Sequence, residues 1–312
     1  MPRFLGDVEL PKDPPYFHQL RRAVRSHLHR YPAAAVVVGL SGGADSLALT
    51  AAALAEGVGV HAVCVDHQLQ PGSDTVAGQA AATACRLGAT AEVVAVHVDQ
   101  HGSMEANARR ARYAALHEAA ADRSIWVGHT ADDQAETLLL RAARGTAAGM
   151  LPVTGQVHRP LLPQSRAATA AACAELGLQP WQDPQNTDEA FARVGVRQRV
   201  IPLLTEVFDR DVTGPLARAA QVAAEDAAAL DAIVGEQAEL GEECAGEPDA
   251  LRRRRIAAFL HHHGGAVNAG TLARVDALLT DWHGQGPVAV GGNAAARLVV
   301  RRVGARLEVG SE

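Results

Sequence analysis

The sequence predicts an α/β protein: a parallel sheet, followed by a smaller, mainly helical second domain with a strand-rich end. Three observations carry this. Short β-branched runs alternate with alanine-rich amphipathic stretches through the first two-thirds of the chain, the rhythm of βαβ units. A glycine-bearing loop, Ser41-Gly42-Gly43-Ala44-Asp45-Ser46, stands between the first of those runs and a stretch of good helix formers. Near residue 205 the alternation stops and long helical stretches take over.

The elements follow in order. An N-terminal helix is expected at about residues 15–30 and a strand over Ala35–Leu40, with the loop and its helix after it. The second strand, Val58–Val65, runs into Asp66-His67-Gln68-Leu69, and a polar loop to Ser73 leads to a helix over about 74–87. A third strand is expected from Glu92 to Val98, then a helix from Ser103, an N-cap residue, to about Ala121. Ile125–Gly128 reads as a fourth strand and Asp132–Ala143 as the next helix. Such sheets are covered on both faces and bind ligands beyond the carboxyl ends of their strands. Helical stretches over 211–240, 249–262 and 271–281 follow, then apolar runs at 288–290, 298–300 and 306–309 separated by glycine-bearing turns. The expected domains are therefore 1–208 and 209–312.

Composition narrows the class. At 312 residues, 48% hydrophobic and 21% charged, the chain is an ordered globular protein of about two domains. A net charge of −6 argues against nucleic-acid binding over the whole surface and leaves room for local basic patches. Lys12 is the sole lysine, so almost every cation is an arginine, which matters where arginine meets phosphate. Cys64, Cys85, Cys173 and Cys244 form no CxxC pair, so neither a metal site nor a disulfide framework is indicated and a reducing compartment is expected. No signal-type opening and no membrane-length apolar run are visible, so a cytoplasmic location with no membrane partner is expected.

The loop at 41–46 carries the most chemistry. A strand that turns through two glycines into a helix aims free backbone N–H groups and the positive end of the helix dipole at one spot, which suits phosphate. Asp45 is out of place on a phosphate unless a divalent cation lies between them, so a nucleotide with Mg²⁺ is expected. The loop lacks the lysine of the Walker type. Asp66 and His67, at a strand end, are candidates for adenosine or base contact. Arg109 and Arg112 share a helix face and could meet a phosphate or a developing charge, although a solvated salt-bridged face explains them as well. In Gly128-His129-Thr130-Ala131-Asp132-Asp133-Gln134-Ala135-Glu136-Thr137, one acid would be an ordinary helix cap. Asp132 and Glu136 share a face, however, where like charges cost stability, so a cation or a substrate amine is indicated. His129 could act as acid or base.

The loop resembles the SGGxDS PP-loop of the ATP pyrophosphatases. With VDHxL at 65–69, EAxARxxRY at 105–113, GHxxDDQAET at 128–137, the glycine-bearing loop at 144–150, RPLL at 159–162 and WxDPxNxD at 181–188, the chain resembles the tRNA(Ile)-lysidine synthetase family over roughly residues 35–205. The resemblance implies a Rossmann-like, adenine-nucleotide-hydrolase-type domain and a ligase that joins free L-lysine to carbon 2 of the wobble cytidine of a tRNA(Ile) with a CAU anticodon. Such a reaction passes through an adenylated cytidine and releases pyrophosphate and AMP, shifting decoding from AUG to AUA. It implies ATP held by Ser41, Gly42, Gly43, Ala44, Asp45 and Ser46 with Asp66 and His67, and Mg²⁺ at Asp45. It implies a catalytic group of Asp45, His129, Asp132, Glu136, Arg109 and Arg112, with lysine at Asp132 and Glu136. Contacts to tRNA are expected from Arg144, Arg193, Arg197 and Arg199, and a homodimer is compatible. The family's Asn-Arg pair is replaced here by Val194-Gly195, which removes its contact or moves it to Arg197 or Arg199. Longer members carry a further C-terminal domain for which this chain is too short.

Two other readings compete with this one. A PP-loop tRNA thiolase needs reactive cysteines near the nucleotide, and the cysteines here fall inside a strand and helices. A small-metabolite amide synthetase needs no RNA surface; against it stand Arg193, Arg197 and Arg199, the run Arg252–Arg255 and Arg301-Arg302, expected to form a phosphate track.

Overall fold

The computed structural model describes residues 3–12, 14–70, 72–99, 101–102, 104–183, 191–292 and 296–312. Its contacts divide the chain into two units, Met1–Ala224 and Glu225–Glu312.

The first unit opens with a hairpin that sequence periodicity did not reveal, β1 (Arg3–Leu5) and β2 (Val8–Leu10), each too short to show a period. Then come α1 (Pro15–Arg30), β3 (Ala35–Gly39), α2 (Ala44–Ala55), β4 (Gly59–Asp66), α3 (Ser73–Arg86) and β5 (Thr90–Ala95). α4 (Met104–Ala120), β6 (Ser124–Val127), α5 (Ala131–Ala142), the two-residue strands β7 (Val153–Thr154) and β8 (Val157–His158), and α6 (Arg166–Glu175) follow. Six strands form one sheet in the order β5-β4-β3-β6-β8-β7; all pairings are parallel except β7 with β8. Strands added to either side of β3 put the reversal of strand order between β3 and β6, where ligand crevices of open α/β sheets lie. The strand expected over Glu92–Val98 runs Thr90–Ala95, with Val96 N–H adding one more bond to Asp66 O at 2.9 Å. The expected cap Ser103 lies outside the described residues.

The helices adhere by their apolar faces. From α1, Phe17, Leu20 and Val24 are fully buried, each contributing roughly 1.5–3 kcal/mol by burial. They join Val36, Val38, Leu47, Leu49 and Trp126 in the main core; a second cluster on the other face of the sheet includes Val37, Val63, Leu116 and Ile125. Within the main core, His27 Nε2 lies 2.9 Å from His158 Nδ1, with the Trp126 ring edge-on to His27. Burial, then the neighbouring His158 and Arg30, push the His27 imidazole down to about 4. Below the ordinary histidine pKa the unfolded chain takes up this proton and the folded chain refuses it. The stabilisation is therefore complete above about pH 6.5 and is lost as pH falls toward 4. The expected loss from pH 7 to pH 5 is about 2 kcal/mol. Thermal melts over that range check it, and His27→Leu should flatten the profile; an unchanged slope would assign it to other groups.

After α6 come a short α7 (Ala192–Gly195), a π-helical turn over Val196–Val200, α8 (Ile201–Phe208) and α9 (Thr213–Val234), within which the boundary between the units falls. The second unit adds β9 (Leu240–Gly241), a 3₁₀ turn at Glu242–Gly246, α10 (Asp249–His262) and α11 (Ala269–Thr280). β10 (Val288–Gly292), β11 (Arg297–Val303) and β12 (Arg306–Ser311) complete an antiparallel sheet of order β10-β11-β12-β9. Ile256, Phe259 and Leu260 of α10 and Val275 and Leu278 of α11 pack with Val290 and Val300 of the sheet. The expected helix over 211–240 stops at Val234, and of its remaining residues only Leu240 enters β9. No described helix is long and apolar enough to cross a membrane.

Candidate functional site

The carboxyl ends of β3, β4 and β6 open on a cavity of about 1320 Å³ within the first unit. This exceeds the roughly 300–1,000 Å³ of a pocket for one small ligand, leaving room for a nucleotide beside a second group.

The loop after β3 forms its floor. Gly42 adopts φ +80°, open to glycine at no cost, and Gly43 caps α2, so the first-turn N–H groups of α2 have no partner within the helix. Ser46 Oγ donates to Gly43 O at 3.0 Å and accepts from Ser41 N at 3.2 Å, which closes the loop on itself. The end of β6 presses on this turn. A Cβ at Gly128 would lie 2.8 Å from the carbonyl carbon and oxygen of Asp45, so only glycine lets the two backbones meet. Trp181 N–H donates to Gly42 O at 3.0 Å, bringing the Trp-Asp-Pro segment onto the loop. Residues 184–188 of that motif lie outside the described residues.

Asp45 lines the same cavity and reaches the first turn of α6. Its Oδ1 accepts from Thr169 Oγ1, and its Oδ2 lies 3.7 Å from Arg166 Nε. Burial pushes its carboxyl up to about 6 despite these partners, with Asp133 and Asp132 adding to the rise. From α5, Asp133 Oδ2 accepts from Thr130 N at 2.8 Å and Thr130 Oγ1 at 2.9 Å, while its Oδ1 meets Arg166 at 3.1 Å. Burial opposes its charge, but Arg166, His129 and the Thr130 bonds outweigh burial and hold the carboxyl below its ordinary value.

Asp132 and Glu136, expected to share an amine, meet protein partners in this structure. Glu136, its side chain 1% exposed, is held by Arg197 at 2.7 Å, Arg166 at 3.1 Å and Arg193 at 3.4 Å. Asp132 Oδ2 accepts from Arg166 N at 2.8 Å, capping α6. Neither lines the cavity; Asp133 between them does, because residues one apart on a helix face different ways. Arg193 and Arg197, expected on RNA, are turned inward onto Glu136, and Arg193 also donates to Thr137 Oγ1 at 2.9 Å. Arg144 and Arg199 are exposed.

On the opposite wall stand Asp66, His67, Arg109 and Arg112, with His129 at the end of β6. Asp66 Oδ1 accepts from Gln68 N at 2.9 Å, turning the chain after β4. Arg109 and Arg112 flank the Tyr113 ring, their guanidinium carbons 4.9 and 5.5 Å from its centre. Burial, reinforced by the Arg159, Arg112 and Arg109 guanidiniums against the pull of Asp133, pushes the His129 imidazole down to about 3. It is therefore neutral at physiological pH; burial, then Arg112, push His67 down likewise. The Nδ1 atoms of both have no hydrogen-bond partner among the described residues.

Sequence reasoning passed over Arg166 and Thr169. The available signal was Arg166 in the first turn of an alanine-rich helix capped by Ser165 Oγ accepting from Ala168 N at 3.2 Å. A cation there opposes the helix dipole and needs acids nearby.

The cysteines carry no thiolate chemistry in this wall: burial pushes Cys64 and Cys173 up to about 12. In the second unit, the expected arginine track is neutralised. Arg252 is gripped by Asp276 at 2.6 Å and Asp249 at 2.8 Å, and Arg253, Arg254 and Arg255 pair with Asp249, Asp231 and Glu247. Arg301 and Arg302 pair with Glu308 and Glu242.

The fit to a divalent cation follows from the donor set. Among the described residues no three His, Cys, Asp or Glu side chains converge as a metal cage. Mg²⁺ is commonly held by one or two carboxylates plus phosphate oxygens, and Asp45 beside free helix N–H groups supplies the protein's half.

A family model for the PP-loop domain matches residues 17–204. The tRNA(Ile)-lysidine synthase of Corynebacterium glutamicum is 48% identical, covering 99% of both chains, and that of Corynebacterium efficiens 50% identical with the same coverage. Among solved structures, the U34-tRNA thiolase NcsA from Methanococcus maripaludis, with its [4Fe-4S] cluster, matches with TM-score 0.53 at 15% identity over 70% of this chain and 83% of its own, which shows the shared fold.

Proposed function

The chain belongs to the tRNA(Ile)-lysidine synthase family of PP-loop ligases, and from that premise we propose how its residues perform the reaction. ATP is the activating substrate, free L-lysine the amine, and the wobble cytidine of a CAU-anticodon tRNA(Ile) the acceptor. The observation that carries the reading is the juxtaposition, in one cavity, of a phosphate-type loop and an acid-bearing helix face.

The triphosphate lies on the loop 41–46 and the N-terminus of α2, whose N–H groups meet its oxygens. Asp45 would hold Mg²⁺, which offsets the charge of the departing pyrophosphate. Asp66 and His67 contact the adenosine side, the His67 Nδ1 supplying a neutral donor or acceptor. The cytosine O2 attacks the α-phosphorus, and Arg109 and Arg112 stabilise the charge that grows on its oxygens. In the second step the lysine ε-amine attacks carbon 2 and AMP leaves. Asp133, the α5 acid facing the cavity, attracts the ammonium, and Asp133 or the neutral His129, whose Nδ1 has no partner among the described residues, takes the proton that the amine must lose before it attacks. Arg144 and Arg199 are the exposed members of the four arginines assigned to RNA, and a location in the cytoplasm follows from a tRNA substrate.

Incubation with ATP, labelled lysine and a CAU-anticodon tRNA(Ile) should place label on the RNA and release AMP and pyrophosphate in equal amounts. Transfer of sulfur to the tRNA, or amide formation on a small acid without RNA, would overturn the assignment.

A further inference from the structure

Among the described residues, Arg166 is the cation that meets acids of both α2 and α5. Its guanidinium lies 3.1 Å from Asp133 and Glu136, 3.7 Å from Asp45 and 3.9 Å from Asp132, and its backbone N–H donates to Asp132 Oδ2 at 2.8 Å. One turn further along α6, Thr169 donates to Asp45 Oδ1. Placing a cation at a helix N-terminus is unfavourable in itself, so the position is explained by the four acids rather than by α6. Asp45 meets no other described cation at ion-pair distance, so without this turn its buried carboxylate would choose its own rotamer.

We infer that the first turn of α6, through Arg166 and Thr169, is a positioning element that orients the Asp45 carboxylate for a divalent cation and fixes it relative to the acids of α5. Neither residue touches the reacting atoms. The inference rests on the reading of Asp45 as the cation-holding group. Thr169 sets one oxygen by a directed hydrogen bond, leaving Oδ2 with only the longer 3.7 Å contact to Arg166 among the described residues; Arg166 keeps four converging carboxylates from repelling one another out of register. A lysine at position 166 would supply the charge without the planar fork that spans several carboxylates.

The test is Mn²⁺ binding, followed by electron paramagnetic resonance, to the full-length protein with a non-hydrolysable ATP analogue. Thr169→Val and Arg166→Lys should each weaken Mn²⁺ about tenfold, as loss of a group orienting a metal ligand commonly does. Thr169→Val replaces a hydroxyl by a methyl and should keep the fold, read by circular dichroism. The double variant Asp45→Asn, Thr169→Val should bind no worse than Asp45→Asn alone, because Thr169 acts through Asp45. Wild-type affinity in Thr169→Val and Arg166→Lys, with Asp45→Asn impaired, would overturn the positioning role while leaving the cation assignment intact. Additive losses in the double variant would overturn it too. Wild-type affinity in Asp45→Asn would instead remove the cation assignment, and the positioning role with it.

Discussion

Asp45→Asn is expected to slow pyrophosphate release by roughly 10²–10³-fold, the effect of losing one group that meets developing charge. Asparagine keeps the shape and can still accept from Thr169, so the fold should survive and the loss should be chemical. The substitution removes the negative charge that, in this site, no other cavity-facing group on α2 can replace. A second signature separates it from general damage. Burial holds this carboxyl up to about 6, so a cation must compete with a proton there. In the wild type the Mg²⁺ concentration for half-maximal rate should rise steeply as pH falls below about 6, and in Asp45→Asn it should not. Pyrophosphate release at the wild-type rate would show that the cation is held elsewhere.

Glu136→Ala should be the most destabilising single change at the site. The carboxylate is fully buried and shared by Arg166, Arg193 and Arg197, tying α5 to α6 and to the segment after the Trp-Asp-Pro motif. Removing one member of a buried ionic cluster commonly costs about 3–5 kcal/mol because the partners stay behind uncompensated. Here three guanidiniums would be left, each still about a quarter exposed to water, which sets the expectation near the lower end, about 3 kcal/mol. Denaturant melts read this directly. If Glu136 instead held the lysine ammonium, the variant would melt like the wild type and only the lysine KM would rise.

The parts of this protein that were legible in its sequence are those where local chemistry is self-sufficient. The loop 41–46 could be read because glycines, a preceding β-branched run and a following helix are contiguous, and α10 was located to the residue because Pro248 and Asp249 begin it and a glycine pair follows it. The β1–β2 and β7–β8 hairpins were not legible, since strands of two or three residues carry no period. The site was half legible. Asp45, His129 and Arg109 could be proposed from their motifs, but which acid of α5 faces the cavity depends on how α5 is rotated against the sheet. Glu136 looked like a ligand because its like-charged neighbour Asp132 demanded a cation. The cation was real and came from the protein itself, from residues thirty to sixty positions away in sequence that no local pattern connects.

That separation along the chain has a consequence for how the protein is made. The phosphate loop and all four acids lie before residue 137, whereas Arg166, Arg193 and Arg197, which neutralise them, come later. A nascent chain that has emerged only through α5 carries every acid of the cluster and none of these counter-charges. Since domains fold as they emerge, the acids remain solvated and apart until α6 and α7 are delivered. The binding floor is thus synthesised well before its working geometry is set, so truncation between Ser46 and Arg197 leaves a chain that contains the signature loop but not the whole site.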